Sequence, residues 1–194
     1  RSGPPPPETL KGAPLRPWTI PNAIGYVRLA LIPVFLGIAL SSGDGRDLTA
    51  AIIYAGIGGG DYLDGIAARI TGQYSRMGVL LDPLVDRMFV VSGVVVCWHY
   101  GLLPKVPLAI LVGREVVMLV LTQIGLRKGI VDLKISYIGR WAVWPTMFSL
   151  FLAMVTETWV ASALLWLGLA MTLIATALYL REGYEKLFGP SSRA

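Results

Sequence analysis

Apolar residues in this chain fall into blocks of about twenty, separated by short stretches rich in Gly, Pro and charge. The blocks lie at roughly 21–41, 48–71, 78–100, 105–126, 138–156 and 159–182. A helix rises 1.5 Å per residue, so about 20 apolar residues cross the hydrocarbon core of a bilayer. The pattern predicts six transmembrane helices. Connections this short place neighbouring helices antiparallel in one bundle. The predicted fold is therefore all-α and integral to the membrane, with the six-helix domain over 17–187. The lead-in at 1–16, with Pro4-Pro-Pro-Pro7, has no core-forming residues and is expected to be disordered. A short tail is expected at 188–194. Around Pro17-Trp18-Thr19-Ile20-Pro21 a short interfacial segment should lead into the first span. Thr19 suits an N-cap and Pro21 a first helical turn, while Trp18 and Arg16 suit the membrane–water boundary.

Composition strengthens this reading. Only 15% of residues are charged and 55% are hydrophobic, with mean hydropathy +0.64. Soluble domains carry about 25% charged residues. The net charge of +5 is unevenly spread. If the N-terminus is cytoplasmic, the inner segments hold Arg1, Lys11, Arg16, Arg69, Arg76, Arg127, Lys128, Lys134, Arg140, Arg181, Lys186 and Arg193, while the outer loops hold Arg46 and Lys105. That bias predicts a multi-pass protein of the cell membrane with both termini cytoplasmic. The basic face would attract anionic lipid headgroups, and no nucleic-acid partner is expected. One cysteine, Cys97, excludes an internal disulfide, and with His99 as the sole histidine a zinc site of the usual His/Cys type is not expected. No charged n-region and cleavage pattern precedes the first block, so no signal peptide is expected.

The chemistry concentrates in the second and third blocks. Asp61, Asp64, Asp82 and Asp86 sit in segments otherwise apolar enough to span a membrane. An ionisable group there costs roughly 3 kcal/mol or more and marks a functional site by default. Four acids stay ionised together only if cations neutralise them. The i,i+3 and i,i+4 spacings put each pair on one helix face. Two such faces on consecutive antiparallel helices can meet near the cytoplasmic side. Oxygen-only ligands favour Mg²⁺, Mn²⁺ or Ca²⁺, and four acids make two metals plausible. Gly58-Gly-Gly60 precedes the acids and suits close helix packing. Gly65, Ala68 and Gly78 leave room for a flat ligand such as a nucleobase.

The string Asp61-x2-Asp64-Gly65-x2-Ala68-Arg69-x8-Gly78-x3-Asp82-x3-Asp86 resembles the signature of the CDP-alcohol phosphotransferases at every fixed position. The resemblance covers about residues 17–187. It implies transfer of a substituted phosphate from a CDP-linked donor to an alcohol, with release of CMP. Carried over, Asp61, Asp64 and Asp82 would be metal ligands, with Asp86 completing a second site for Mg²⁺ or Mn²⁺ and acting as general base. Gly65, Ala68 and Gly78 would line a cytidine pocket, and Arg69 would hold the diphosphate or orient the acids. The family also implies a homodimer. A site at the membrane interface favours CDP-diacylglycerol as donor.

A second set of charges suggests an acceptor pocket. Arg114 lies in mid-span, and Lys134 and Arg140 flank the start of span five. Turned inward, they could bind a phosphate through charge-assisted hydrogen bonds. Arg114-Glu115 and Lys134-x5-Arg140 resemble the phosphatidylglycerophosphate synthase branch, whose acceptor is glycerol 3-phosphate. That branch commonly has a second arginine where Thr122 stands, and a Lys-Thr pair where Trp141-Ala follows. Leu81-Asp-Pro-Leu-Val-Asp-Arg87 and Tyr137-Ile-Gly-Arg140 look more like actinobacterial cardiolipin synthases, which use phosphatidylglycerol. The expectation is a glycerol-type acceptor. Inositol phosphate is the alternative within the family, and a cation channel or transporter is the alternative outside it.

Overall fold

The computed structural model describes residues 16–73, 75–127 and 137–188. The remainder, including Lys134, most of the lead-in and the tail, lies outside the described residues. Six helices follow in order: α1 Ile20–Ser41, α2 Leu48–Thr71, α3 Arg76–Tyr100, α4 Lys105–Arg127, α5 Tyr137–Val155 and α6 Trp159–Phe188. No strand occurs among the described residues. Helix number and order agree with the hydropathy pattern, and the boundaries shift by a few residues. The one larger difference is α6, which continues past the expected end at 182. Hydropathy fades there, but a helix needs no apolar side chains to propagate its backbone bonds.

Among the described residues, two helices are long and apolar enough to cross a membrane: α1, and α6 over Trp159–Arg181. Trp141–Val155 is a shorter apolar helix. Helix α2 is diluted by Asp61, Asp64 and Arg69, and α3 by Arg76, Asp82, Asp86 and Arg87. The residues that carry the candidate chemistry are thus the ones that interrupt the hydropathy.

The chain divides into two compact units, one up to Tyr100 and one from Gly101. In the first, α1 packs against both α2 and α3. Thr19 caps α1, its hydroxyl accepting from Asn22 N at 3.3 Å, with Pro21 in the first turn. Both features follow from the sequence. Asp47 caps α2 by accepting from Ala50 N at 2.8 Å. Gly72, at φ 65°, ends α2 in the left-handed region that glycine enters without a Cβ penalty. The core of this unit is an aromatic stack. Phe35 lies 5.1 Å from Tyr54, and Tyr54 lies 4.3 Å from Phe89, centroid to centroid. Gly93 makes the room: a Cβ there would stand 2.5 Å from the Tyr54 hydroxyl. At the opposite end from the acids, the Tyr100 hydroxyl donates to Leu40 O at 2.7 Å and fastens α3 to α1.

The second unit is built on an α5–α6 hairpin with α4 against α6. Leu150, Met154, Leu165 and Leu169 fill its interior. A Cβ at Gly168 would collide with Thr146, so this glycine sets the closeness of the pair. The Ser149 hydroxyl donates to Ala161 O at 2.6 Å across the same seam.

Candidate functional site

Three of the four acids meet around one cation, Arg28 of α1. Its Nη1 donates to Asp64 Oδ2 at 3.0 Å and to Asp61 Oδ1 at 3.3 Å. Its Nη2 donates to Asp86 Oδ1 at 3.0 Å, and its Nε to Ile57 O at 2.9 Å. One guanidinium therefore joins α1, α2 and α3. The sequence reading did not single out Arg28. The signal was present: an arginine inside the first apolar block is costly unless it faces an opposite charge, and the next two blocks carry Asp61, Asp64, Asp82 and Asp86. It sits on the buried face of α1 with Asn22, Gly25, Ile32, Phe35 and Ala39, at spacings of three and four.

Exposure grades across the cluster. The side chains of Arg28 and Asp64 are 3% and 10% exposed, whereas those of Asp61 and Asp86 are 56% and 51% exposed. The site thus has a buried floor and an open mouth. Asp82 lies one turn before Asp86 and is also exposed. Gly60 explains how a bulky arginine reaches the floor. A Cβ there would stand 2.8 Å from both Cγ and Cδ of Arg28. Gly58 faces Phe89 at 3.1 Å, and Gly59 meets nothing within 4 Å.

The glycines that bracket the acids differ from one another. Among the described residues, the atom within reach of a Cβ at Gly65 is Arg69 Nη2, at 3.8 Å, so they leave that flank open. Arg69 is exposed and its Nε donates to Gly65 O at 2.9 Å, on its own helix. Ala68 is partly exposed between them. At Gly78, a Cβ would stand 2.9 Å from Asn22 Oδ1 and 3.4 Å from Ser75 Oγ. The missing side chain there admits Asn22. This buried asparagine is a hub: Nδ2 donates to Arg16 O and Pro17 O, both at 3.1 Å, and Oδ1 accepts from Ser75 Oγ at 3.0 Å. Ser75 in turn accepts from Gly78 N at 3.0 Å. The Gln73 side chain accepts from Ile20 N at 3.0 Å. The α2–α3 turn, the start of α1 and the segment before it are tied together beside the acids.

Of the candidate acceptor residues, Arg114 belongs to the second unit. Its Nη1 pairs with Glu115 and its Nε donates to Thr176 Oγ1 at 3.0 Å. Arg140 lies in the first turn of α5, and Lys134 lies outside the described residues.

The donor set suits a hard divalent cation by its chemistry. The oxygens that Asp61, Asp64 and Asp86 gather are carboxylate oxygens, with neither thiolate nor imidazole in the set. As the side chains stand, no three acids among the described residues enclose a point where an ion would fit. Their convergence is on the guanidinium.

A family model described as CDP-alcohol phosphatidyltransferase matches residues 18–174. A Streptomyces coelicolor protein named cardiolipin synthase (CMP-forming) is 34% identical over 166 residues, covering 83% of this chain and 77% of its own length. A Mycobacterium tuberculosis protein provisionally named a cardiolipin synthase is 33% identical over 129 residues, covering 66% of this chain and 61% of its own length. The Bacillus subtilis CDP-diacylglycerol–glycerol-3-phosphate 3-phosphatidyltransferase is 27% identical over 188 residues, covering 88% of this chain and 97% of its own length. The matched region includes Arg28 and all four acids.

Proposed function

We propose, from the premise that this chain belongs to the CDP-alcohol phosphatidyltransferase family, that it is a multi-pass membrane enzyme transferring a phosphatidyl group from CDP-diacylglycerol to a glycerol-type alcohol. The observation that carries this reading is the gathering of Asp61, Asp64 and Asp86 between α2 and α3, with Asp64 on the floor, Asp61 and Asp86 at the mouth, and Gly65 beside them. The acceptor oxygen bonds to the phosphorus that bears diacylglycerol. The bond from that phosphorus to the bridging oxygen breaks, and CMP leaves with the electron pair. The hydroxyl proton passes to Asp86. That carboxylate suits the role because Oδ1 is held by Arg28 and the side chain is half-exposed, which leaves Oδ2 for the acceptor. Two divalent cations, Mg²⁺ or Mn²⁺, held by Asp61, Asp64, Asp82 and Asp86, would offset the diphosphate charge and stabilise departing CMP. Gly65, Ala68, Arg69 and Gly78 are assigned to the CDP moiety. The active site and both termini are placed on the cytoplasmic side.

Phosphatidylglycerol is the acceptor to test first. The Streptomyces relative carries the cardiolipin synthase name, and exposed Trp141 and Trp144 on α5 suit a lipid environment. The test is CMP release from CDP-diacylglycerol by the purified protein, with phosphatidylglycerol, glycerol 3-phosphate and inositol phosphate supplied separately. Release with phosphatidylglycerol alone supports the assignment. Release with glycerol 3-phosphate alone moves the acceptor within the glycerol class, inositol phosphate alone removes it from that class, and no release with any acceptor rejects the enzyme reading.

A further inference from the structure

We propose that Arg28 is a built-in counter-cation of the acid cluster, which holds Asp61, Asp64 and Asp86 together and competes with divalent cations for their oxygens. The inference rests on the proposed metal-dependent activity and assigns a positioning residue within it. Three observations lead to it.

The first is placement. Arg28 is 2% exposed and cannot withdraw to water. Its stem lies in the gap left by Gly60, and its Nε is anchored on Ile57 O. The second is connectivity. Two nitrogens of one planar fork reach three carboxylates on two helices. Arginine supplies such a fork and lysine does not. The third is chemistry. A carboxylate oxygen that accepts an N–H at 3.0 Å has given one of its lone pairs to the guanidinium, whose positive charge also opposes a cation on the same oxygen.

The sign of the effect follows from charge. Four ionised acids carry −4, and with Arg28 the cluster carries −3. Removing the guanidinium leaves more negative charge to attract a divalent ion and removes a positive neighbour that repels it. Loss of the fork also loosens the acids, which acts against metal binding. The guanidinium is buried and bonded directly to three acids, so losing its charge outweighs loosening them. Arg28 therefore stabilises the protein before a cation arrives and raises the cation concentration at which the site fills.

The experiment compares wild type with Arg28→Gln and Arg28→Lys, each purified in detergent with chelator and then titrated with Mn²⁺. The readouts are the thermal unfolding midpoint and Mn²⁺ binding followed by its electron paramagnetic resonance. In chelator, Arg28→Gln is expected to melt about 5–10 °C below wild type. Saturating Mn²⁺ should close most of that gap, and the Mn²⁺ dissociation constant should fall about tenfold. Arg28→Lys should lie between, since it restores charge without the fork. Two results would overturn the inference: a lowered midpoint that Mn²⁺ does not recover with an unchanged dissociation constant, or weaker Mn²⁺ binding. If Arg28→Gln does not fold, Gly60→Ala pushes the arginine stem out of its seat with the charge kept, and the same two readouts apply: tighter Mn²⁺ binding supports competition, and unchanged or weaker binding rejects it. Wild type that neither binds Mn²⁺ nor releases CMP rejects the proposed activity itself. Wild type that does both, beside an Arg28→Gln protein with unaltered metal affinity, rejects only the role of Arg28.

Discussion

Asp61 and Asp64 are one helical turn apart, yet their side chains are 56% and 10% exposed. Their substitution should therefore separate activity from stability. Asp61→Asn, Asp64→Asn and Asp82→Asn are each expected to reduce CMP release to a trace, since each removes a charge from the proposed cation site. Only Asp64→Asn should also lower stability, by about 1–3 kcal/mol, because it weakens a buried charge-assisted bond to Arg28. Asp61 gives up a longer and solvated contact of 3.3 Å, worth at most about 1 kcal/mol. Thermal melts in detergent alongside the assay check both halves, and substantial turnover by Asp61→Asn or Asp82→Asn would remove the two-cation site. Gly65→Leu tests the open flank. Among the described residues its Cβ would meet Arg69 Nη2 alone, at 3.8 Å, so folding should survive while CMP affinity falls at least tenfold, about 1.4 kcal/mol. Unchanged CMP affinity by equilibrium binding would place the nucleotide elsewhere.

The helices were legible because their signals are local. Apolar runs of membrane length, Thr19 before Pro21, and acids at i,i+3 and i,i+4 each depend on neighbours within one or two turns. The links between helices were not legible in the same way. Which acids Arg28 would reach depends on how α1 is rotated against α2 and α3, and no local pattern states that rotation. Gly60 was read as close packing, and the packing partner is an arginine stem. Gly78 was read as room for a ligand, and Asn22 uses part of that room. Asn22, in the first turn of α1, bonds to the segment before α1 and to Ser75 beyond α2. Asn22→Ala should leave the Ser75 hydroxyl and two carbonyls short of a partner. A loss of about 1–3 kcal/mol is expected, read as a lower unfolding midpoint, with proteolysis appearing first near the α2–α3 turn. Wild-type stability in Asn22→Ala would make this cluster incidental to the fold.

The acids and Arg28 belong to one compact unit, and Arg114 and Arg140 belong to the other. The acceptor assignment is thus tested on the second unit and the donor assignment on the first. Arg114 already has partners in Glu115 and Thr176, so its removal has two separable effects. Arg114→Ala deletes a cation that could bind the acceptor phosphate, and it also leaves Glu115 without its neighbour. Glu115→Gln supplies the control, since it disturbs the same pair and keeps the cation. For a phosphate contact, Arg114→Ala and Arg140→Ala should each raise the acceptor concentration for half-maximal rate about tenfold or more, the effect of losing roughly 1.5–3 kcal/mol from a charged hydrogen bond. CDP-diacylglycerol binding should stay near wild type, because the donor is assigned to the first unit. Glu115→Gln should shift the acceptor dependence little, and Lys128→Ala, which the charge distribution assigns to topology, should not shift it. Equal effects of Arg114→Ala and Glu115→Gln would mean that the pair holds α4 to α6 and does not touch the acceptor. Unchanged acceptor dependence in both arginine variants would remove the pocket while leaving the donor half of the mechanism on Asp61, Asp64, Asp82 and Asp86.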